Sequence, residues 1–530
     1  MKLVALPLHG LRPLLVAALA LHFAPAARAA TSTWSNNASG NFTNSANWFL
    51  SVGPPGAADD AVFTNNTKFQ VTWTSSITNK NAFFNGRGGA VTQAIGTSFW
   101  LLTNTYVVGQ NPGTTATVTH VSGTLRVTNS AGTAQMIIGQ GGDGTFDLNG
   151  GAVVADRLLV TNNSSSVTNS TFNLNAGNLT TLHGSVITQA TGFAIGTVLN
   201  QTATWTMTGG TNALNIASGN VSVGDLAGAA GIVTVDGAST LWAVNQPLQV
   251  GRLGRGQLFI TNGGRVASDT GIIGVNFLSN ANLARISGSN SAWLIDGPLT
   301  VGGLGLSNQM LIEAGGTVSN TSGIIGSGAG ASSNVVTVTG AGSLWTNTGN
   351  LIVGSSGSSN LLLVSGGAVH APNLFISSLG VATNNLVQVS GGALTVANGS
   401  GTGQLNIGST GHGRFELNGG TVTADRLLVT NTSVATTRSL LVLNNGTLTV
   451  RSNSTIVLPS GGVFLLGTNA GSSITLNLQG GLHTVSNVFG PVAVGLGTTV
   501  ANSTGIVNVA GANALWPINT NLLMGAGGGT

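Results

Sequence analysis

Any chemistry in this chain of 530 residues would start from its 12 carboxylates: Asp59, Asp60, Asp143, Asp147, Asp156, Asp225, Asp236, Asp269, Asp296, Glu313, Glu416 and Asp425. Acid–base cleavage of a sugar chain needs carboxylates, with Arg or Lys, converging on one groove. Along the sequence they are scattered, and most sit beside Gly or between repeats. Only Asp59 and Asp60 are adjacent, and just before an apolar run they predict a turn that caps the first strand. Asp156-Arg157 recurs as Asp425-Arg426, which predicts a local charge match at a coil edge. If Asp225, Asp236 and Arg252 met in one groove, they would mark a polysaccharide-cleaving site.

Other candidate motifs weaken on inspection. "GQGGDG" (Gly139 to Gly144) fits G-x-G-x-x-G but lacks the strand-to-helix setting of a dinucleotide site. "GGDGTFDL" is close to a calcium-binding nonapeptide, yet Phe146 takes the Asp position and Asp147 comes one place late. His120, His183, His370, His412 and His483 are isolated and show no metal-ligand spacing. No G-x-S-x-G elbow is present. The sequence therefore predicts no catalytic, cofactor or metal residue, and the chain reads as a non-enzyme.

One residue type does recur at fixed spacing. Trp242, Trp293, Trp345 and Trp516 each follow a Gly by five positions: Gly237, Gly288, Gly340 and Gly511. Six positions after each Trp comes Leu, and Val-Gly or Met-Gly follows at eight and nine. A row of exposed Trp would suit a sugar platform. The residues between Trp and Leu vary freely, however: "AVNQP", "LIDGP", "TNTGN" and "PINTN". A packing position needs only its own shape and apolar partners, so the row reads as structural, with each Trp covering a coil edge and its indole N–H finding a partner.

The elements that carry this row are short. Only 5% of residues are charged, against about 25% in an ordinary domain. There are 81 Gly, one Tyr and no Cys, and short Val, Ile, Thr and Leu runs break on Gly and Asn. That pattern predicts many short strands and no long helix after residue 30. The first three Trp are 51 and 52 residues apart. A second repeat begins at Gly132 and returns at Gly401, an offset of 269. One such piece cannot bury its inner face alone, whereas stacked copies can. The predicted fold is all-β: a parallel β-helix or β-solenoid built from internal repeats. A β-sandwich array is the alternative, for which the repeat is short. A 51-residue repeat then holds about two coils, and the mature chain roughly 20 coils about 4.8 Å apart. Stacked Asn side chains are expected to pair in ladders.

The first 29 residues read as a signal peptide, with Lys2, His9 and Arg12 before an apolar Leu14 to Phe23 and an Ala27-x-Ala29 cleavage site. Residues 30–70 read as an N-terminal cap and entry to the solenoid, and residues 71–530 as solenoid repeats. Without Lys2, Arg12 and Arg28 the chain keeps 13 basic and 12 acidic residues, a net charge of +1, and shows no basic stripe for nucleic acid. No segment is long and apolar enough to predict a transmembrane helix.

The mature opening, "TSTWSNNASGNFTNSANWF" then "PPGAADDAVF", sets Trp34 and Trp48 around Gly40-Asn41-Phe42. It resembles the start of exported bacterial proteins with autotransporter-associated β-strand repeats, and the Trp repeat is similar to autotransporter passenger sequence. The resemblance implies a β-helix at the cell surface, at the outer membrane or outside the cell. It implies an adhesive or structural role, with extracellular polysaccharide or other cell-surface molecules as partners. Two alternatives stay open: a polysaccharide-degrading β-helix enzyme and a carbohydrate-binding rod. An autotransporter ends in a membrane barrel, whereas this chain stops at "LLMGAGGGT", halfway through a repeat, and so reads as a fragment whose outer-membrane anchor lies elsewhere.

Overall fold

The computed structural model describes residues 30–51, 53–161, 170–431, 438–458, 464–467, 471–486, 492–494, 503–518 and 522–524. The predicted signal peptide and the final "GAGGGT" lie outside the described residues. The fold is a parallel β-solenoid of about 17 turns with 60% strand. That is fewer than the roughly 20 coils expected from a 20- to 27-residue coil, because most coils take the longer value. No helix among the described residues is long and apolar enough to cross a membrane.

Each central coil has three strands. One coil runs Ala230–Asp236, Leu241–Val244 and Leu248–Val250. The next runs Arg255–Thr261, Arg265–Ser268 and Gly271–Ile273. Each strand pairs in parallel with its counterpart one coil away, for example Val235 with Ile260, and Val250 with Ile273. Alternate residues point inward, so Val233, Val235, Leu258 and Ile260 are fully buried. The N-terminal segment already belongs to this stack, since Thr31–Trp34 pairs in parallel with Asp60–Phe63. Its interior is closed by aromatic rings, with Trp34 and Trp48 centred 5.3 Å apart, Phe42 and Trp48 5.0 Å apart, and Trp73 and Trp100 5.2 Å apart.

The 51-residue repeat is a size code spread over two coils. On the second face the inward column reads Trp242, Val266, Trp293, Val318, Trp345, Val369. On the third face the matching column reads Leu248, Gly271, Leu299, Gly323, Leu351. A coil with Trp and Leu thus alternates with a coil of Val and Gly. The reason is steric. A Cβ on Gly271 would stand 2.9 Å from the Trp293 ring, and one on Gly323 would stand 2.8 Å from the Trp345 ring. The indoles lean over the coil below and need glycine there. Where the Trp stops, the rule relaxes: Leu374 follows Leu351 on the third face, and Leu394 follows Val369 on the second.

The glycines of the Trp repeat have two roles. Gly237, Gly288, Gly340 and Gly511 all take positive φ, between 82° and 104°, and open the turn before the Trp strand. The Val-Gly and Ile-Ile-Gly glycines face a buried ladder of asparagines. Asn282, Asn308, Asn334, Asn360 and Asn385 are fully buried and stack one per coil. Each Nδ2 donates to the Oδ1 of the next, at 2.7, 2.9, 3.0 and 3.0 Å. The backbone N–H of Asn282, Asn308, Asn334 and Asn360 donates to the same oxygen, at 2.9 to 3.1 Å. The top is closed by Asn385 donating to the Ser377 hydroxyl and the Gly357 carbonyl. A Cβ on Gly302 would lie 2.2 Å from Asn334, and one on Gly354 1.9 Å from Asn385.

Two stability tests follow. Trp345→Val should cost about 2–4 kcal/mol through lost burial and the cavity left behind. Gly323→Ala should cost about 1–3 kcal/mol through overpacking. In a double-mutant cycle read by denaturant melts, the Gly323→Ala cost should fall in part once Trp345 is Val, the remainder arising from Asn347 Oδ1, 2.5 Å from the added Cβ; strictly additive costs would contradict the two-coil size code. Asn334→Leu should cost on the order of 3 kcal/mol, because the N–H groups of Asn308 lose their buried acceptor. Gly302→Ala should be of similar severity, while Gly399→Ala, with nothing within 4 Å of its Cβ, should stay within about 0.5 kcal/mol of wild type.

Candidate functional site

The Trp row lies inside the rod. Trp242, Trp293 and Trp345 are fully buried within the core, not set over a coil edge, while Trp516 is half-buried against the core. Trp293 Nε1 donates to the Ser268 hydroxyl at 3.0 Å, and Trp345 Nε1 donates to Asn320 Oδ1 at 2.7 Å. Both acceptors lie opposite the residue two places after the Trp, since Ser268 pairs with Ile295 and Asn320 with Asn347. The residue in that place beneath Trp242 is Leu214, opposite Val244. Trp242 Nε1 accordingly has no partner among the described residues, contrary to the expectation for every indole. Its ring lies edge-on to Trp205, with centroids 5.9 Å apart.

The carboxylates are spent on local staples. Asp59 accepts from the N–H groups of Ala30 and Gly56, at 2.8 and 2.9 Å, and so closes the turn before Asp60–Phe63. Asp156 and Asp425 are almost fully buried. Asp156 Oδ2 accepts from Asn129 N and Ala134 N, at 2.9 and 3.2 Å, and Asp425 Oδ2 from Asn398 N and Gly403 N, at 2.9 and 3.0 Å. Each carboxylate therefore clamps the corner loop of the preceding coil. The basic side chains nearest to them are His183 and Arg451, at 3.6 and 3.8 Å. This corrects the expected Asp-Arg match between sequence neighbours. Adjacent strand residues point to opposite sides of the sheet, so residues one coil apart meet more readily.

Asp225 and Arg252 do meet, through Arg252 Nε and Nη2 at 2.5 and 2.9 Å, and this bond raises the guanidinium pKa. Asp236 is elsewhere, accepting from Thr261 Oγ1 and Asn262 Nδ2 at 2.7 and 2.6 Å. Among the described residues, the cleft beside the Asp225–Arg252 pair is lined by no second carboxylate. Phe146 of the calcium-like stretch points into the core, stacked on Phe172 at 5.4 Å. No group of three His, Asp or Glu suited to a metal is found among the described residues.

His120 and Tyr106 both titrate away from their usual range because both are buried, the tyrosine upward and the histidine downward. His120 lies beside Gln93 of the preceding coil, and Gln93 Nε2 donates to the Tyr106 hydroxyl at 2.9 Å. Burial lowers the His120 pKa from 6.5 to about 4, and the Gly123 carbonyl offsets this only in part.

Two clefts on the outer surface share Arg414. The first, of about 320 Å³, is lined by Leu386, His412, Arg414, Arg438 and Leu440 among others. The second, of about 420 Å³, adds Glu416, Asn418 and Asn444. Arg414 pairs with Glu416. Arg438 has no carboxylate partner among the described residues. Nothing in the sequence reading singled out this place. The available signal was the mismatch between the two 269-offset copies at outward positions.

Comparison with protein-family models, with curated proteins and with solved structures gives no match. The β-helix implied by the sequence resemblance is present in the fold.

A folded-state pKa below the unfolded one makes His120 stabilising only while neutral. Its contribution is full above pH 6.5 and is lost as the pH falls toward about 4. His120→Leu should therefore flatten the acid limb of stability by up to about 3 kcal/mol between those limits. Urea melts across that range check this. Some slope remains from His483, whose pKa burial also lowers. A slope unchanged by the substitution would show that His120 does not set it.

Proposed function

We propose that this protein is an exported, autotransporter passenger-like rod. It acts as a structural or adhesive element at the cell surface, at the outer membrane or outside the cell, and has no catalytic activity of its own. The observation that carries the reading is where the polar chemistry goes. Asp59, Asp156 and Asp425 hold backbone N–H groups, while Asp225, Glu313 and Glu416 hold Arg252, Arg285 and Arg414. These groups maintain the stack instead of converging on one groove. What is left for partners is a long outer surface of Asn, Thr and Ser with few charges, which suits contact with extracellular polysaccharide or another cell-surface molecule. The leader at 1–29 supports export.

The test is to express the full chain, with an epitope tag placed after Ala29, in a bacterium with two membranes. The tag should be removed by protease added to intact cells, or be recovered in the medium. A tag reached only after cell lysis would overturn export. The purified chain, incubated with a panel of extracellular polysaccharides, should release no reducing or unsaturated ends. Steady release of either would overturn the non-catalytic reading.

A further inference from the structure

The two long repeats give an internal comparison. The segment from Gly132 to Thr181 and the segment from Gly401 to Val450 align without a gap at the 269-residue offset. Inward residues match closely: Phe146 with Phe415, Leu148 with Leu417, Leu174 with Leu443, all fully buried or nearly so. Outward rows match less well: Thr119–Asp147–Asn173 becomes Gln388–Glu416–Val442, and the row beside it changes most in chemical character. In the first copy this second row is Thr117–Thr145–Thr171, each residue paired with the next across coils. In the second copy the same row is Leu386–Arg414–Leu440. Beside it, Asp143 is replaced by His412, and Asn169 by Arg438.

Folding does not demand this change. A threonine row suits an exposed sheet face, whereas Leu440 is 40% exposed. The exchanged residues line the cleft of about 320 Å³ described above, a size found in ligand pockets. Its wall has leucines on both sides of a guanidinium, and a second guanidinium, Arg438, stands without a carboxylate partner among the described residues. Arg414 is already tied to Glu416, which orients it and leaves Arg438 as the uncompensated charge.

We infer that the Leu386–Arg414–Leu440 row with His412 and Arg438 is a binding site for an acidic carbohydrate. A pyranose ring has an apolar C–H face, which the two leucines cover. It has a polar rim, and an acidic sugar adds a carboxylate or sulfate, which a planar guanidinium grips in two-point fashion. The second cleft continues past Arg414 with Glu416, Asn418 and Asn444, amide and carboxylate groups suited to sugar hydroxyls. The inference rests on the surface-rod reading above and assigns that rod a ligand class.

The first copy supplies the test variants, because its residues are already accepted by the same scaffold. Binding of a short oligogalacturonate, a sulfated galactan oligomer, a neutral maltooligosaccharide and polyglutamate to the full chain is measured by calorimetry. One acidic sugar should bind, the neutral sugar should not, and whichever acid binds tighter identifies the anionic group. Arg438→Asn should weaken binding roughly tenfold, the scale of a charge-assisted hydrogen bond. The Leu386→Thr, Leu440→Thr double variant should weaken it at high salt as well as low, since apolar contacts are not screened. Arg285→Gln, on another coil, should bind as wild type, and circular dichroism melts should show every variant folded. Unchanged binding in Arg438→Asn, or polyglutamate binding as well as the sugar, overturns the site. If no acidic sugar binds while the tagged chain still reaches the surface, the site fails and the rod reading stands. If the sugar is bound and then cleaved, the rod reading fails and the site stands.

Discussion

Most strand residues inside this rod have a counterpart about 4.8 Å above and another below, fixed by parallel backbone hydrogen bonds. Side chains therefore meet their own kind of position again and again, and each stacked column must tolerate that repetition. A large ring cannot fill one slab without entering the next. Trp293 and Trp345 solve this by leaning over Gly271 and Gly323, one coil down. A buried polar group cannot stand alone, so Asn308, Asn334 and Asn360 each accept from the coil on one side and donate to the coil on the other.

The same constraint accounts for the scarcity of charge. Like charges stacked on one face would repel at short range, whereas Asn, Thr and Ser both donate and accept and can stack on themselves. The outer surface shows such pairs: Asn175 with Asn149, Thr197 with Asn175, and Asn508 with Asn477. Some charged residues find a complementary group one coil away, as Asp225 does beneath Arg252. Arg438 differs from the other unpaired cations in its setting, beside two outward leucines and a second guanidinium in one cleft.

Much of the architecture was legible in the chain itself. The short strands, the two-coil period and a structural role for the Trp row follow from spacing and residue type, while the burial of the indoles in the core does not. The asparagine ladder was legible as a tendency of stacked Asn, but not its members, because "SNANL", "SNQML" and "SSNVV" look like ordinary turn sequences. The roles of Asp156 and Asp425 were misread for a related reason: a sequence shows neighbours along the chain, whereas their partners lie 22 to 27 residues away. The outer cleft was invisible until register placed Leu386, Arg414 and Leu440 side by side.

What the sequence determined by itself is the kind of object: a stack of similar coils, with a period set by residue size and turns set by glycine and asparagine. These are local properties, since the backbone freedom and bulk of a residue act within a few positions. What only the tertiary structure decided is which residues share a column. A difference of one residue in coil length would carry an outward side chain into the core and change every lateral partner. Register is the sum of all loop lengths, and it alone brings Trp345 over Gly323, Asp425 to the loop of the coil before it, and two arginines to one cleft.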